Sequence, residues 1–371
     1  MKRTVSIKLV PTPEQAQALL ELQSELAKAC NLIVPFARDN RCWNRVALHH
    51  LAYYPVREAT RLGSQMVCNA VKAVADAYKV LKLGRHDEIP VIRFRETGSV
   101  HFDARTYRLK GDAVSLYTLT GRAIVKMSPG EFQAQYLAAG KPKEGKLVRR
   151  GKQWFFNLVL DWPDTAPAKG SGILGIDLGE NNLASTSSGK ILGGGPLRHV
   201  RDRHLALRRR LQSNGRQSAR QLLKKVSGKE RRHMRQVNHE ASKAMVGEAL
   251  KQGASTIVLE TLTHIRKRIK GGKRLRARLH RWAWRELQDF IAYKAEAAGI
   301  RVIYVNPAYS SKSCSACGCL GSRIQHKFSC SSCGHLAHSD RNAAVNLAKL
   351  AKSIGIARLG VAPAHVAVPT H

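Results

Sequence analysis

Cys314-Ser315-Ala316-Cys317-Gly318, then Cys330-Ser331-Ser332-Cys333-Gly334, then His338-Ser339-Asp340-Arg341-Asn342-Ala343-Ala344-Val345-Asn346 form the stretch that decides the fold. Twelve residues separate Cys317 from Cys330. Two Cys-x-x-Cys pairs at this separation have the spacing of a tetrahedral four-cysteine zinc site, a closed site of structural type. Each pair predicts a tight knuckle, with the glycine behind it making the turn. Cys319 breaks the two-residue gap and is left out of the ligand set. Asp340 follows the ribbon at the start of an Ala-rich periodic helix, where it is placed to hold a cation.

Outward from this stretch, the composition narrows the class. The chain has 371 residues, of which 63 are Lys or Arg and 26 are Asp or Glu, for a net charge of +37. Such a surplus repels itself unless a polyanion compensates it, which points to nucleic acid. No apolar run approaches 18 residues and no lipidation motif is present, so a membrane surface is not the expected polyanion. The stretch after Met1-Lys2-Arg3 ends by Pro11, too short for a signal peptide. Eight cysteines without a secretion signal predict a reducing, cytoplasmic setting and metal binding rather than disulfides.

Thr4 to Val10 alternates as a strand, and Thr12 and Pro13 open a helix as N-cap and first-turn residue. A second helix is predicted from Ser64 to Leu83, with Gln65, Asn69, Lys72 and Lys79 on its polar face. Short alternating runs then predict an antiparallel sheet or small barrel: Val91–Arg95, Val100–Asp103, Ala113–Tyr117, Ala123–Met127, Lys146–Arg150 and Trp154–Asp161. The helices between Pro13 and Leu83 therefore read as an insertion between the first strand and the rest of that barrel. Pro163 to Gly172 reads as a linker.

Beyond it, Ile173-Leu174-Gly175-Ile176-Asp177-Leu178-Gly179 reads as a buried strand carrying one carboxylate, with a hairpin partner from Asn182 to Ser187. Gly-Ile-Asp-Leu-Gly also resembles the first phosphate motif of actin-like ATPases. The further glycine-rich phosphate hairpins of that pattern are not found, and Gly193-Gly194-Gly195 reads as a turn. Basic helical segments are predicted over Leu197–Val226 and Lys229–Gln252, with Arg208, Arg209, Arg210, Lys224, Lys225, Arg231 and Arg232 on them. Ser255–Leu259 is a further apolar strand ending at Glu260. Arg266 to Arg281, including Arg274, Arg276 and Arg278, reads as a basic loop. A helix from Trp282 to Ala298 leads to a strand over Arg301–Val305, and the tail beyond Gly355 reads as poorly ordered.

Asp177 inside a strand, Glu260 at the end of one and Asp340 at a helix start share one property. A lone buried carboxylate is costly and needs a partner. Three of them in a basic chain favour a divalent cation, and hard oxygen ligands suit Mg²⁺. Two carboxylate-bridged metals support phosphodiester cleavage.

On these residues the chain resembles the TnpB proteins of insertion sequences, RNA-guided DNA endonucleases related to type V CRISPR effectors. The resemblance spans nearly the whole chain. It rests most on Pro307-x-Tyr309-Ser310-Ser311-x-x-Cys314-Ser315-x-Cys317-Gly318 and on Asp340-x-Asn342-Ala343-Ala344-x-Asn346. Ile257-Val258-Leu259-Glu260 and Tyr293-Lys294-Ala295 add to it. It departs from the family's wording at Asn238-His239-Glu240, where more Arg and Lys are usual.

The resemblance implies a multidomain α+β and α/β chain. A wedge-type β-barrel (1–10 and 86–165) would hold a helical recognition insertion (11–85). A RuvC-like nuclease of RNase H fold (172–310 and 336–354) would follow, carrying a four-cysteine zinc ribbon that binds target nucleic acid (311–335), then a tail (355–371). It implies Asp177, Glu260 and Asp340 as catalytic acids holding Mg²⁺ or Mn²⁺, and zinc on Cys314, Cys317, Cys330 and Cys333. The implied partners are a guide RNA from the transposon end and target double-stranded DNA, with one protein monomer per RNA and no membrane. Gln65, Asn69 and Lys72 are expected to read a short motif beside the target. Competing expectations are a nuclease-inactive RNA-guided regulator and a transposon accessory DNA-binding protein.

Overall fold

The computed structural model describes residues 2–179, 181–262, 284–306 and 310–353. The chain divides into two compact units between Asp164 and Thr165. The basic segment from Arg266 to Arg281, with Arg274, Arg276 and Arg278, lies outside the described residues, as do Pro307, Tyr309 and the tail.

The first unit is built on a seven-stranded antiparallel sheet. Its strands are β1 (Lys2–Val10), β2 (Val100–Phe102), β3 (Tyr107–Lys110), β4 (Ala113–Thr118), β5 (Gly121–Ser128), β6 (Lys141–Arg150) and β7 (Gln153–Asp161). Their order is β2-β6-β7-β1-β5-β4-β3. The first strand thus lies mid-sheet, with Val5, Ile7 and Leu9 opposite Leu158, Phe156 and Trp154. These alternate residues are buried, as a strand with one face to the core requires. The two edge strands, β2 and β3, are joined by only Asp103–Thr106. So short a link brings the edges together and curls the sheet into a nearly closed barrel, which leaves little free strand edge.

Three helices, α1 (Pro13–Asp39), α2 (Arg45–Ala59) and α3 (Ser64–Lys79), are inserted between β1 and β2, and α4 (Glu131–Ala139) lies between β5 and β6. Thr12 caps α1 in a full capping box with Gln15. Leu19, Leu22, Ile33, Met66, Val67 and Val74 share one core with the barrel residues. Two elements differ from the sequence expectation. Val91–Arg95 forms no strand, because Asn31 of α1 takes both backbone groups of Phe94 at 2.9 Å and leaves none for a ladder. The helix predicted to Leu83 stops at Lys79.

The second unit holds a five-stranded sheet of order β10-β9-β8-β11-β12. Its strands are β8 (Gly172–Asp177), β9 (Asn182–Thr186), β10 (Ile191–Gly193), β11 (Ala254–Glu260) and β12 (Arg301–Val305). The first three form an antiparallel meander, while β8, β11 and β12 run parallel. The crossover to β11 is made by α5 (Gly195–Asn214) and α6 (Gln217–Lys251). The break between them falls at Gly215 and Arg216, not near Gly228 as expected. A glycine inside a helix costs only about 1 kcal/mol, and a 35-residue helix absorbs it.

Alternation along β8 and β11 then sorts the faces. Leu174, Ile176, Ile257 and Leu259 face a core with Met245 and Ala249 of α6 and with Leu287 and Ile291 of α7 (Trp284–Ala297). Ile173 and Val258 face the other side, against Leu347 and Ala351 of α8 (Ser339–Ser353). Between β12 and α8 lies a small three-stranded sheet of β13 (Ser322–Ile324), β14 (Lys327–Ser329) and β15 (Leu336–His338). No helix among the described residues is long and apolar enough to cross a membrane.

Candidate active site and metal centre

The period-two rule puts Asp177 and Glu260 on the α8 side of the sheet, in phase with Ile173 and Val258. Both stand at the carboxyl ends of neighbouring parallel strands, where Leu259 pairs with Ile176. Asp340 is the second residue of α8, which lies over the same face. The structure therefore places all three acids toward one face of the sheet, near enough for Glu260 and then Asp340 to push the Asp177 carboxyl up.

Burial pushes the Asp177 carboxyl well above the usual range, and the neighbouring Glu260 pushes it further. Burial also raises Glu260, against the lowering effect of its hydrogen bonds from Asp177 and the Leu178 amide, the latter at 3.4 Å. The two carboxyls interact directly, so they titrate as a pair rather than singly. Gln288 of α7 donates to the Glu260 carbonyl at 2.8 Å and fixes the end of β11.

Asp340 is 5% exposed and held on both oxygens. Asn182 of β9 donates to Oδ2 at 2.8 Å, and Arg323 of β13 donates to Oδ1 at 3.0 Å. Arg323 was not expected from the sequence. Its strand is exposed throughout, and nothing in Ser322–Ile324 marks a residue that reaches across to α8.

The Asp340-x-Asn342-Ala343-Ala344-x-Asn346 pattern divides its work by helix face. Asn342 accepts from the Ser315 amide at 2.8 Å and donates to the Ser313 carbonyl at 2.7 Å. Asn346, one turn on, donates to Ser310 and Ser313 carbonyls. The two amides clamp the first cysteine knuckle to the helix. Ala343 and Ala344 are buried, and their small side chains let α8 approach the sheet. A Cβ on Gly175 would stand 2.0 Å from the Ala344 carbonyl oxygen. Gly175→Ala is therefore expected to lower stability by about 1–3 kcal/mol, the usual effect of overpacking, and to shift α8 with Asp340. A thermal midpoint equal to that of the native chain would mean that helix and strand are not in this close contact.

Beside this cluster, the four Sγ atoms of Cys314, Cys317, Cys330 and Cys333 all lie within 4.8 Å of one another. Cys314 to Cys333 is 3.7 Å and Cys317 to Cys330 is 3.6 Å. A zinc tetrahedron with Zn–S bonds of about 2.3 Å has edges of about 3.8 Å, so the donor set fits that ion. Gly318 and Gly334 take φ of +83° and +71° and close each knuckle by donating to the Cys314 and Cys330 carbonyls. The Cys333 and Ser332 amides draw the Cys330 thiol down to about 6, while the neighbouring sulfurs push Cys317 up to about 12, so the four thiols do not all ionise by themselves. Cys319 is not part of the group, as expected. All eight cysteines are free thiols.

The expected nucleic-acid residues fall into three sets. Arg209, Arg210, Lys224, Lys225, Arg231 and Arg232 are exposed along α5 and α6. Arg208 is tied to Glu230 at 3.1 Å and links the two helices. On α3, Gln65 donates to Asp103 at 2.5 Å and accepts from Arg105, and Lys72 meets Glu144 at 3.0 Å, both half-buried. Asn69 corrects the expectation that it reads the motif beside the target: it is 1% exposed and donates to the His101 carbonyl. Its amide is used inside the unit, where α3 meets β2. The departure at Asn238-His239-Glu240 also has a structural reason. Asn238 is buried against Glu286 at 2.8 Å, and His239 stacks on Phe290 at 4.0 Å, so these residues join α6 to α7.

Comparison with known proteins agrees with this arrangement. Residues 284–347 match the family model described as the Cas12f1-like TNB domain. A TnpB-like protein of Methanocaldococcus jannaschii is 28% identical over 67% of this chain and 94% of its own length. The CRISPR-associated endodeoxyribonuclease Cas12f1 of Sulfoacidibacillus thermotolerans is 34% identical over 54% of this chain, which spans half of that longer protein. Among solved structures, the Cas12f1–sgRNA–target DNA complex aligns over 91% of this chain and 83% of that chain, with a TM-score of 0.67 and 16% identity, a likeness of fold. The motif residues, the mixed sheet with its cysteine ribbon and these likenesses point the same way: the chain is similar to the TnpB-like and Cas12f proteins.

Proposed function

We propose that this chain is an RNA-guided DNA endonuclease of a transposon, cutting double-stranded DNA that matches its guide beside a short motif. The observation that carries this reading is the placement of Asp177, Glu260 and Asp340 toward one sheet face, where Glu260 and Asp340 both act on the Asp177 carboxyl. Neighbouring carboxyls whose ionised forms are disfavoured by burial and by each other are unfavourable by themselves, and a divalent cation relieves them. Hard oxygen donors select Mg²⁺ or Mn²⁺. Bound there by Asp177, Glu260 and Asp340, a metal pair would supply water activation and charge stabilisation at the leaving oxygen of the phosphodiester. The protein's own part is positional. β8 and β11 hold two acids side by side, Asn182 and Arg323 orient the third, and Gln288 fixes the strand end behind Glu260.

The second unit is read as a RuvC-like nuclease of RNase H fold over 172–310 and 336–354, interrupted by the ribbon at 311–335. In the first unit, 1–10 and 86–165 are read as a wedge-type barrel and 11–85 as a recognition insertion. The exposed basic residues of α5 and α6 suit guide scaffold and heteroduplex phosphates, which carry no sequence information themselves. Of the residues expected to read the motif beside the target, the half-buried Gln65 and Lys72 remain candidates, and the exposed Arg105, which donates to Gln65, joins them. Replacing each acid by Ala tests the reading: cutting in Mg²⁺ should vanish while RNA binding stays near native. Wild-type cutting by any one of the three variants removes that acid from the site. A nuclease-inactive regulator of the same fold would need no such cluster, and the intact set of acids favours the nuclease.

Zinc is proposed for the four cysteines. The ribbon's own core is only Cys314, Phe328 and Cys330, too small to hold a fold without a staple. Purified protein should contain about one zinc per chain, and Cys314→Ser should lose it with the rest of the chain still folded. Zinc-free native protein, or unchanged content in the variant, would contradict the assignment.

A further inference from the structure

Another group of metal-ligating side chains lies outside the cysteine site. His326, His338 and Asp340 each offer a ligand atom, and these atoms all lie within 4.8 Å of one another. His326 occupies the two-residue turn between β13 and β14, and His338 ends β15. Their rings stack at 5.3 Å with an interplanar angle of 22°. His326 is exposed and His338 half-buried, so an ion reaches them from solvent.

The turn is built rather than loose. Gln325 has φ of +52°, the left-handed conformation that a tight hairpin demands and a side chain resists. Its carbonyl accepts from Arg323 Nε and Ser339 Oγ, both at 3.3 Å. The His326 carbonyl accepts from the Ser339 amide at 2.8 Å. The hairpin is thus locked onto the first residue of α8, and both imidazoles are delivered to the Asp340 carboxylate. His338 Nδ1 also lies 3.3 Å from the Asp340 amide, a long contact that is easily given up.

We propose that His326, His338 and Asp340 form a second, solvent-open transition-metal site that takes Zn²⁺ or Co²⁺ and competes with the carboxylate cluster for Asp340. Two imidazoles and one carboxylate suit borderline ions, whereas Mg²⁺ prefers oxygen alone. Three protein ligands leave a fourth position for water, unlike the closed cysteine site. Arg323 now occupies Asp340 Oδ1, and its side chain, 40% exposed, gives up that contact when the ion enters while its Nε can stay on the Gln325 carbonyl. Occupancy draws Asp340 to the ribbon side, away from Asp177 and Glu260. The ion therefore inhibits cutting, a consequence that rests on the nuclease reading; the binding itself does not.

The test is a cobalt titration of full-length protein whose ribbon already holds zinc. One Co²⁺ should bind with the weak visible bands of nitrogen and oxygen ligands and no thiolate-to-cobalt charge transfer. His326→Gln and His338→Gln should each weaken it by at least the ~10-fold that losing even an outer partner costs. Both variants should keep their ribbon zinc, which shows that they fold, and should cut DNA in Mg²⁺ with inhibition by added zinc lost. Thiolate bands alone, or cobalt affinity unchanged in the double variant, would overturn the site. Cobalt bound at the histidines with native cutting undisturbed would overturn the competition for Asp340. If native protein in Mg²⁺ does not cut at all, the nuclease reading fails, and the cobalt spectra still decide the site.

Discussion

Asp177→Asn is expected to abolish DNA cutting and, at the same time, to raise the thermal midpoint of the Mg²⁺-free protein at neutral pH. The two effects have one cause. Asp177 sits beside Glu260 with its carboxyl pushed well up, first by burial and then by that neighbour. Its folded value lies above the ordinary value of about 4, so between the two the folded chain holds a proton that the unfolded chain has released. The stabilising share of this group is complete below the unfolded value and is lost as pH rises through the folded one. At neutral pH the fold carries the strain of confining the pair, and an amide removes it. Melting curves without Mg²⁺ should therefore fall from mildly acid to alkaline pH more steeply for the native chain than for the variant.

Function moves the other way. Removing a ligand forfeits several kcal/mol of charge stabilisation at the transition state. At about 4 kcal/mol, that is roughly a thousandfold loss of rate. A site kept for chemistry at the expense of stability is expected to behave so. A variant that is less stable than the native chain at every pH, with cutting retained, would mean that the pair is structural.

The fold and site were unevenly legible in the sequence. The cysteine knuckles and the three acids could be read because their signal is local: fixed spacing in one case, a charge inside an apolar run in the other. The barrel's middle strand, β1, was found from alternation alone. By contrast α2 went unread, since Arg45–Ala59 mixes His, Tyr and Arg with a proline at position 55 and buries only Leu48, Ala52 and Val56. The short strand β3, Tyr107–Lys110, and the helix α4, which buries no residue, were passed over for the same lack of a clear stripe. Val91–Arg95 alternates like a strand, yet its hydrogen bonds go to the Asn31 side chain. Arg323, His326 and the buried role of Asn69 depend on contacts between elements distant in sequence, which no window of residues contains.

The second large effect concerns who selects the target. A chain of net charge +37 binds any nucleic acid, and that binding falls steeply with salt as counterions are released. On the proposed reading, Arg209, Arg210, Lys224, Lys225, Arg231 and Arg232 would contact phosphates, and such contacts cannot distinguish one sequence from another. As proposed motif readers, Gln65, Arg105 and Lys72 would be enough for a short motif and too few for a long site. Delegating the choice to a base-paired guide resolves this, because the protein then needs only the shape and backbone of the heteroduplex. RNA-free protein is accordingly expected to show at most weak nicking that is blind to sequence.

The most direct measurement takes the protein expressed with its transposon-end RNA and maps cuts on one duplex that carries two candidate sites. With the first guide segment, cutting in Mg²⁺ should fall at the first site. With the segment replaced, it should move to the second, and with Asp177→Ala it should disappear from both. A cut that stays in place when the guide is exchanged, or that appears at one fixed site without RNA, would contradict the account.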